Sequence, residues 1–469
     1  MPFNTDCPHS TGPSRLGIVA LAAALVGLAA TSEAGTETSV AARLGVARMS
    51  TQALAAPRGL PRRFEVRVDL AGQVETLELH AYSLRSPSFR LMVQDETGEH
   101  EIEPPPPRTY RGSIVGVDES DVAATLNNGQ VHALIREPDG GFWTVQPLTD
   151  VDEHADSALH AVSHTIDILP HDGVCGVEEG TSGEVQEGSE LSGEPGAMRL
   201  GDEEIAEMSY DADVEFFQLN GSSVVETVHD IELVTNGMNV IYRRDVSIHN
   251  WIRTIFVRTV EPDPYTSSVA GTLLCEFRNQ WNNNHPSGRD FAHLMTGKLL
   301  AAPTIGLAYT GVVCTSGLVN CDSNNLRMDY GLSQSRWQNN LQLRIALTAH
   351  EVGHNYGACH CNQVGCTGGG VDPDCTIMCA TIGGCSATVT NFGSRTITAI
   401  NSYVSGLSCL DDCQFKVAVP DDVATISDAM RDVCWGGSID METGTYGQAP
   451  LLKNKNVAIS APDGNVLVK

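Results

Sequence analysis

The amino-acid sequence predicts a mixed α/β fold over residues 205–413, a sheet with helices packed against it, set between two β-rich flanks. Three patterns predict it. Between residues 205 and 360, apolar strand-like runs alternate with segments whose apolar residues recur at three and four positions. Residues 60–150 instead alternate apolar and polar side chains in short runs divided by Gly, Pro, Asn and Asp. Residues 414–469 carry shorter runs still, separated by turns such as Gly444-Thr445-Tyr446-Gly447.

The first 34 residues have a polar lead-in to Arg15, an unbroken apolar and glycine run from Leu16 to Ala30, and Ser32-Glu33-Ala34 as a small-x-small cleavage site. That is the pattern of a secretory signal peptide, too short for a comfortable membrane span; a retained anchor is the other reading. No other run is long enough to cross a bilayer, so the mature form is expected to have no span. With 469 residues the chain has room for two to four domains. Its 58 acidic residues against 29 basic ones, net −29, argue against nucleic acid and anionic membrane surfaces as partners.

Residues 35–175 read as a β-rich domain, loosely ordered up to about residue 60. Its strands are expected at Phe64–Val68, Thr76–His80, Phe89–Val93, Ser113–Val117, Val131–Ile135 and Phe142–Val145, with Pro104–Pro107 as a stiff connector. Residues 176–204 are rich in Gly, Ser and Glu, as an exposed linker is, and Arg199 is a candidate cutting point. The α/β part follows. Val214–Leu219 reads as a strand, and Ser222 and Ser223 precede a helix carrying Val224, Val228 and Ile231. Ile252–Val260 is a strand, Ala270–Trp281 a helix, and Phe291–Met295 and Ile305–Val312 two further strands.

The stretch on which the rest turns is His350-Glu351-Val352-Gly353-His354-Asn355-Tyr356-Gly357-Ala358-Cys359-His360. A run free of Pro, from about Leu341 to Tyr356, predicts one helix, on which His350 and His354 share a face. Gly357 allows the left-handed turn that brings His360 back to the same point. Three neutral imidazoles leave one position of a zinc ion open for water, as a catalytic rather than a structural site does. Glu351 is not needed as a ligand and can act as general base, then acid. A buried helix that merely carries histidines is the bland alternative, and the third His at its offset weighs against it.

Of fourteen cysteines, Cys7 leaves with the leader, so an odd number remains. Cys175 stands far upstream of the group between Cys275 and Cys434. Cys361, Cys366, Cys375, Cys379 and Cys385 crowd behind His360; in an exported chain disulfide staples are favoured there over a second metal site. Met378 reads either as core filling or as an apolar floor beneath the histidines.

On these residues, 205–413 resembles a metzincin of the adamalysin (reprolysin) type. Besides the His350–His360 motif, Ala292–Gly297, Gly306–Gly311 and Cys375-Thr376-Ile377-Met378 are similar to segments of that catalytic domain, and Asn391–Leu410 to its last helix. The resemblance implies a zinc endopeptidase with a methionine turn at Met378 and a Cys314–Cys409 disulfide. It also implies that a protein or peptide substrate lies antiparallel along the edge strand at Gly306, Leu307 and Ala308. Thr109–Gly112, Ala133–Arg136 and Phe142–Pro147 resemble the family's propeptide, and His171–Val177 its cysteine-switch segment, in which Cys175 would silence the zinc. An unpaired or intermolecular thiol is the alternative for Cys175. Two departures stand out: Cys361 occupies the place where the family usually has Asp, and Ala380 disfavours the branches with a metal-assisting Tyr. Calcium is a further candidate cation, with no ligand set that can be read.

The tail, 414–469, is expected to hold a short helix at Thr425–Cys434 and strands at Ser438–Met441, Leu451–Lys453, Val457–Ser460 and Val466–Lys469. It looks like the start of a pectate-lyase-like parallel β-helix, one that continues or docks on carbohydrate or further coils; a small β appendage is the plainer reading. Two other functions compete with the endopeptidase: an exported adhesive or carbohydrate-binding protein with structural zinc, and a zinc amidase acting on a non-peptide linkage.

Overall fold

A computed structural model of the chain describes residues 37–171, 173–176, 202–285, 288–314, 328–361, 376–382 and 389–421, and in the tail 424–426, 429–430, 433–446, 457–461, 464 and 466–468. The leader, Arg199, Cys366, Cys375, Cys385 and Leu451–Lys453 lie outside the described residues.

Helix α1 (37–44) opens the N-terminal domain. It is followed by β1 (Ser50–Ala53), β2 (Arg63–Leu70), β3 (Gln73–Ala81), β4 (Arg85–Asp95), β5 (Gly98–Ile102), β6 (Thr109–Ile114), β7 (Asp121–Asn127), β8 (Gln130–Arg136), β9 (Phe142–Pro147), β10 (Leu159–His164) and the two-residue β11 (Val174–Cys175). Eight of these make one sheet in the order β1-β10-β9-β8-β7-β6-β3-β2. The alternation that marked β2 has its physical counterpart: Phe64, Val66, Val68 and Leu70 point inward against Leu77 and Leu79, while the residues between them face outward. The strand expected at Ser113–Val117 ends at Ile114, because Ser120 Oγ takes up the Ile114 amide and Gly116 turns at φ 77°.

The α/β part contains β12 (Asp202–Ala212), α2 (Val214–Leu219), α3 (Val224–Val246), β13 (Ile248–Arg258), α4 (Ala270–Asn284), β14 (Phe291–Thr296), β15 (Thr304–Ala308), β16 (Tyr330–Gln334), α5 (Leu341–Asn355) and α6 (Ser394–Val404). Its sheet runs β11-β15-β16-β14-β12-β13-β4-β5, so the N-terminal domain supplies the strand at each end. All the central pairs are parallel; β15 is antiparallel to β16.

Four expectations need correction. Val214–Leu219 is a helix, not a strand: the Asp213 carboxylate accepts from the Phe216 amide as an N-cap, and the adjacent Phe216 and Phe217 are both buried. The central strand β12 begins at Asp202, within the stretch read as linker. The edge strand stops at Ala308 rather than Val312, because the amides of Gly311 and Val312 turn to the carbonyls of His354 and Asn355 at the end of α5. The last helix is Ser394–Val404, shorter than Asn391–Leu410.

Helices α3 and α5 cross in close contact at Gly237, where a Cβ would stand 2.3 Å from Ile345. The core around them takes in Tyr82, Leu84, Leu91, Leu134 and Phe142 of the N-terminal domain together with Ile241, Ile345, Val352 and Met378. The two domains therefore share one apolar interior.

The tail is joined to this sheet. Strand β17 (Asp411–Val419) pairs antiparallel with the start of β12, then parallel with β18 (Val433–Met441), which replaces the end of the helix expected over Thr425–Cys434. Next come β19 (Gly444–Tyr446), β20 (Ala458–Ser460) and β21 (Val466–Val468). Val417, Ile439 and Ile459 are partners in successive parallel rungs, and β19 pairs parallel with β21 in a second stack. Among the described residues no helix is long and apolar enough to cross a membrane.

Candidate metal centre

Helix α5 begins at Asn340, whose side-chain oxygen accepts from the amides of Gln342 and Leu343. Every residue of α5 is buried: Leu341, Ile345, Ala349 and Val352 in the shared core, and Leu343, Ala346 and Leu347 in a second cluster with Val40 and Leu44 of α1. So firmly seated a helix gives the two histidines of its last turns a fixed direction. Beyond Asn355 the chain reverses at Gly357, with φ 84°; its amide bonds the His354 carbonyl and that of Ala358 the Gly353 carbonyl.

This reversal brings the three rings together. The Nε2 atoms of His350 and His354 are 3.1 Å apart, those of His350 and His360 3.2 Å, and those of His354 and His360 3.3 Å. His350 Nδ1 donates to the Ile377 carbonyl and His354 Nδ1 to the Ala358 carbonyl, both at 2.7 Å. With the proton committed to Nδ1, each Nε2 turns its lone pair to the common point. Burial, then the neighbouring rings, hold His350 far below the usual imidazole range; burial lowers His354 to about 4 and His360 to about 3. Three neutral lone pairs converging at these distances call for a cation between them.

Cys175 completes the group. Its Sγ is 3.6 Å from His354 Nε2 and 3.5 Å from Glu351 Oε2. A tetrahedral zinc, with Zn–N about 2.0–2.1 Å and Zn–S about 2.3 Å, sets N–N edges of about 3.3 Å and N–S edges of about 3.6 Å. The three N–N separations and the Cys175–His354 separation fit those edges. Burial and then the Glu351 carboxylate push the Cys175 thiol well above its ordinary range, so a nearby cation is what would hold it as thiolate.

Glu351 is fully buried, which raises its carboxyl to about 8, and Oε1 has no hydrogen-bond partner among the described residues. It lies against Gly306, where a Cβ would stand 2.3 Å from Oε1. The segment carrying Cys175 is threaded between β15 and the chain after Met378. The Val174 amide donates to the Pro303 carbonyl and that of Gly176 to Gly306; the Cys175 amide donates to Ala380 and that of Ile382 to Gly173. Strand β11 runs parallel to β15, with Cys175 opposite Gly306; Leu307 and Ala308, further along, pair with β16. Met378 is buried beneath α5, its sulfur 2.7 Å from where a Cβ on Gly353 would be.

All the singled-out residues thus meet at one place except Leu307 and Ala308, which lie further along the same strand. What the side chains did not signal is the part played by backbone carbonyls at Ile377 and Ala380. A disulfide joins Cys314 to Cys409, as the resemblance implied, and another joins Cys361 to Cys379. Among the described residues two further groupings bring metal-type side chains together, Asp290 with Cys314 and Cys409, and Glu215 with Glu261 and Asp263. The first has its sulfurs committed to the disulfide.

Residues 203–406 match the Reprolysin_5 family model, metallopeptidase family M12. Among solved structures, metalloproteinase-II from Bacteroides fragilis is similar at 12% identity and a TM-score of 0.41, with 73% of this chain and 92% of that one covered.

Proposed function

We propose that this chain, whose residues 203–406 match metallopeptidase family M12, is a zinc metalloendopeptidase made as an exported zymogen, its own Cys175 silencing the metal centre until the N-terminal domain is removed. The observation that carries this is the position of one thiol, within 3.6 Å of a ligand-type nitrogen and 3.5 Å of the one buried carboxylate at the site.

His350, His354 and His360 would hold the zinc. When bound, it supplies a Lewis acid that polarises the scissile carbonyl and acidifies water. The chain's own groups do the rest. Glu351, buried at the site with Oε2 beside Cys175, would take the proton from water and return it to the leaving amine. Strand β15 offers backbone groups at Gly306, Leu307 and Ala308 to an extended peptide, and Met378 supports α5 from below.

The polarity of β11 favours an inhibitor over a substrate. A substrate antiparallel to β15 would run opposite to β11, which pairs parallel with it. A peptide segment already seated on this edge also favours peptide bonds over a non-peptide amide. Glu351, for which a structural zinc has no use, weighs against the adhesive reading. Export through residues 1–34 is consistent with two disulfides around the site. The in-register rungs of the tail support the start of a parallel β-helix there, fit to meet carbohydrate or further coils.

The test is cleavage of casein by the purified chain before cutting, and again after cutting between residues 177 and 201 and separating off the N-terminal domain, with and without a chelator. Activity that appears once the N-terminal domain is gone and vanishes with chelator supports the proposal. Full activity of the uncut chain, or activity indifferent to chelator, overturns it.

A further inference from the structure

The four residues Ile377, Met378, Cys379 and Ala380 touch three corners of the site in succession. The Ile377 carbonyl accepts from His350 Nδ1. The Met378 carbonyl accepts from the Cys361 amide at 2.8 Å. Cys379 is disulfide-bonded to Cys361, the residue directly after His360, and the Ala380 carbonyl accepts from the Cys175 amide. This short strip therefore works as a template along which the ligand set is laid out. Of its attachments only one is covalent.

That attachment goes to the ligand in greatest need of it. His350 and His354 ride on a buried helix, whereas His360 stands on irregular chain after the Gly357 reversal. It is held by the Ala358 amide and the disulfide-bonded Cys359 behind it and by the two ties of Cys361 in front. A hydrogen bond at the surface of a loop opens locally far more easily than a covalent link does.

We propose that the Cys361–Cys379 disulfide is the positioning element for His360, and that zinc retention in this protein depends on it. This rests on the zinc reading of the site. The bond lashes the third ligand to the methionine turn, so its loss loosens one imidazole of three and leaves the helix pair in place. Groups that orient a metal ligand without touching the metal change affinity by about 10–100-fold when removed.

The experiment is zinc release from the full, zinc-loaded chain into excess chromophoric chelator. It compares the wild type with Cys361→Ala/Cys379→Ala, Cys361→Ser/Cys379→Ser, and the control Cys314→Ala/Cys409→Ala, which removes a disulfide not adjoining any ligand. Both 361/379 pairs are expected to release zinc about tenfold faster or more, while the control releases at the wild-type rate even where its thermal midpoint falls. The serine pair keeps the size of the sulfur positions, so the comparison stands if the alanine pair does not fold. Wild-type release rates in the 361/379 variants, or equal acceleration in the control, overturn the inference. A wild type that takes up no zinc would instead sink the metal reading itself.

Discussion

Gly306 and Glu351 are mutually fitted: a side-chain carbon on the glycine would stand 2.3 Å from the carboxylate oxygen Oε1. The edge strand and the general base thus share one small volume. Gly306→Ala is expected to turn the carboxylate aside and lower kcat/KM of the activated enzyme by about tenfold or more, a cost of about 1.4 kcal/mol or more. Zinc content should not change. Steady-state kinetics with metal analysis checks this, and an unchanged kcat/KM would contradict it.

Glu351→Gln preserves volume and removes the base. Activity on a peptide substrate should fall by about 10²–10⁴-fold, while the three imidazoles keep zinc. Loss of zinc together with activity would mean that Glu351 acts on the metal site's integrity rather than on the proton.

Cys175→Ser removes the thiol without disturbing the backbone bonds that seat β11. Latency should then leak: the uncut variant is expected to cleave a small peptide substrate measurably where the uncut wild type does not. Equal silence of both would show that burial by β11, and not the sulfur, maintains latency.

The N-terminal domain should not fall away when the linker is cut. Arg85 Nε bonds Glu232 at 2.6 Å, with both side chains buried; Asn236 Nδ2 reaches the carbonyls of Tyr110 and Ala124; and β4 pairs in parallel with β13. After limited proteolysis between residues 177 and 201, both pieces are expected to co-elute in size-exclusion chromatography. Glu232→Ala leaves the buried Arg85 guanidinium without its charged partner, which costs about 3–5 kcal/mol, and should let them separate.

Acid should loosen the same interface. His249 is buried beside Tyr82, whose hydroxyl is 2.6 Å from Nε2, and Glu203 lies 3.6 Å from Nδ1. Burial lowers the imidazole to about 4 from its usual 6.5, against the pull of Glu203. A base whose folded value is depressed takes up its proton first in the unfolded chain. Its contribution is therefore present above pH 6.5 and lost as the pH falls towards 4, by at most about 3 kcal/mol. The thermal midpoint of the full chain should drop over that window, and His249→Gln should make the drop shallower.

Much of the site could be read from residue types because its chemistry is local. Two histidines four apart on a helix, and a glycine able to reverse the chain, bring three rings together without any knowledge of the rest. Cys175 could be singled out as a leftover, but its seat depends on carbonyls at Ala380 and Gly306, which leave no mark in the side chains. Val214–Leu219 reads as a strand from its own residues, but the Asp213 cap just before it makes it a helix. The joining of β4 and β17 to the central sheet was also hidden, since pairing between distant strands is a property of backbone edges. For the same reason the covalent tie of Cys361 to Cys379 could be suspected from crowding but not paired.

The most direct measurement is zinc-edge X-ray absorption of the chain before and after activation. Before cutting, the account predicts three nitrogen neighbours at about 2.0–2.1 Å and one sulfur at about 2.3 Å; after removal of the N-terminal domain, the sulfur should be replaced by oxygen. A shell without sulfur in the uncut chain, or one unchanged by activation, would contradict it.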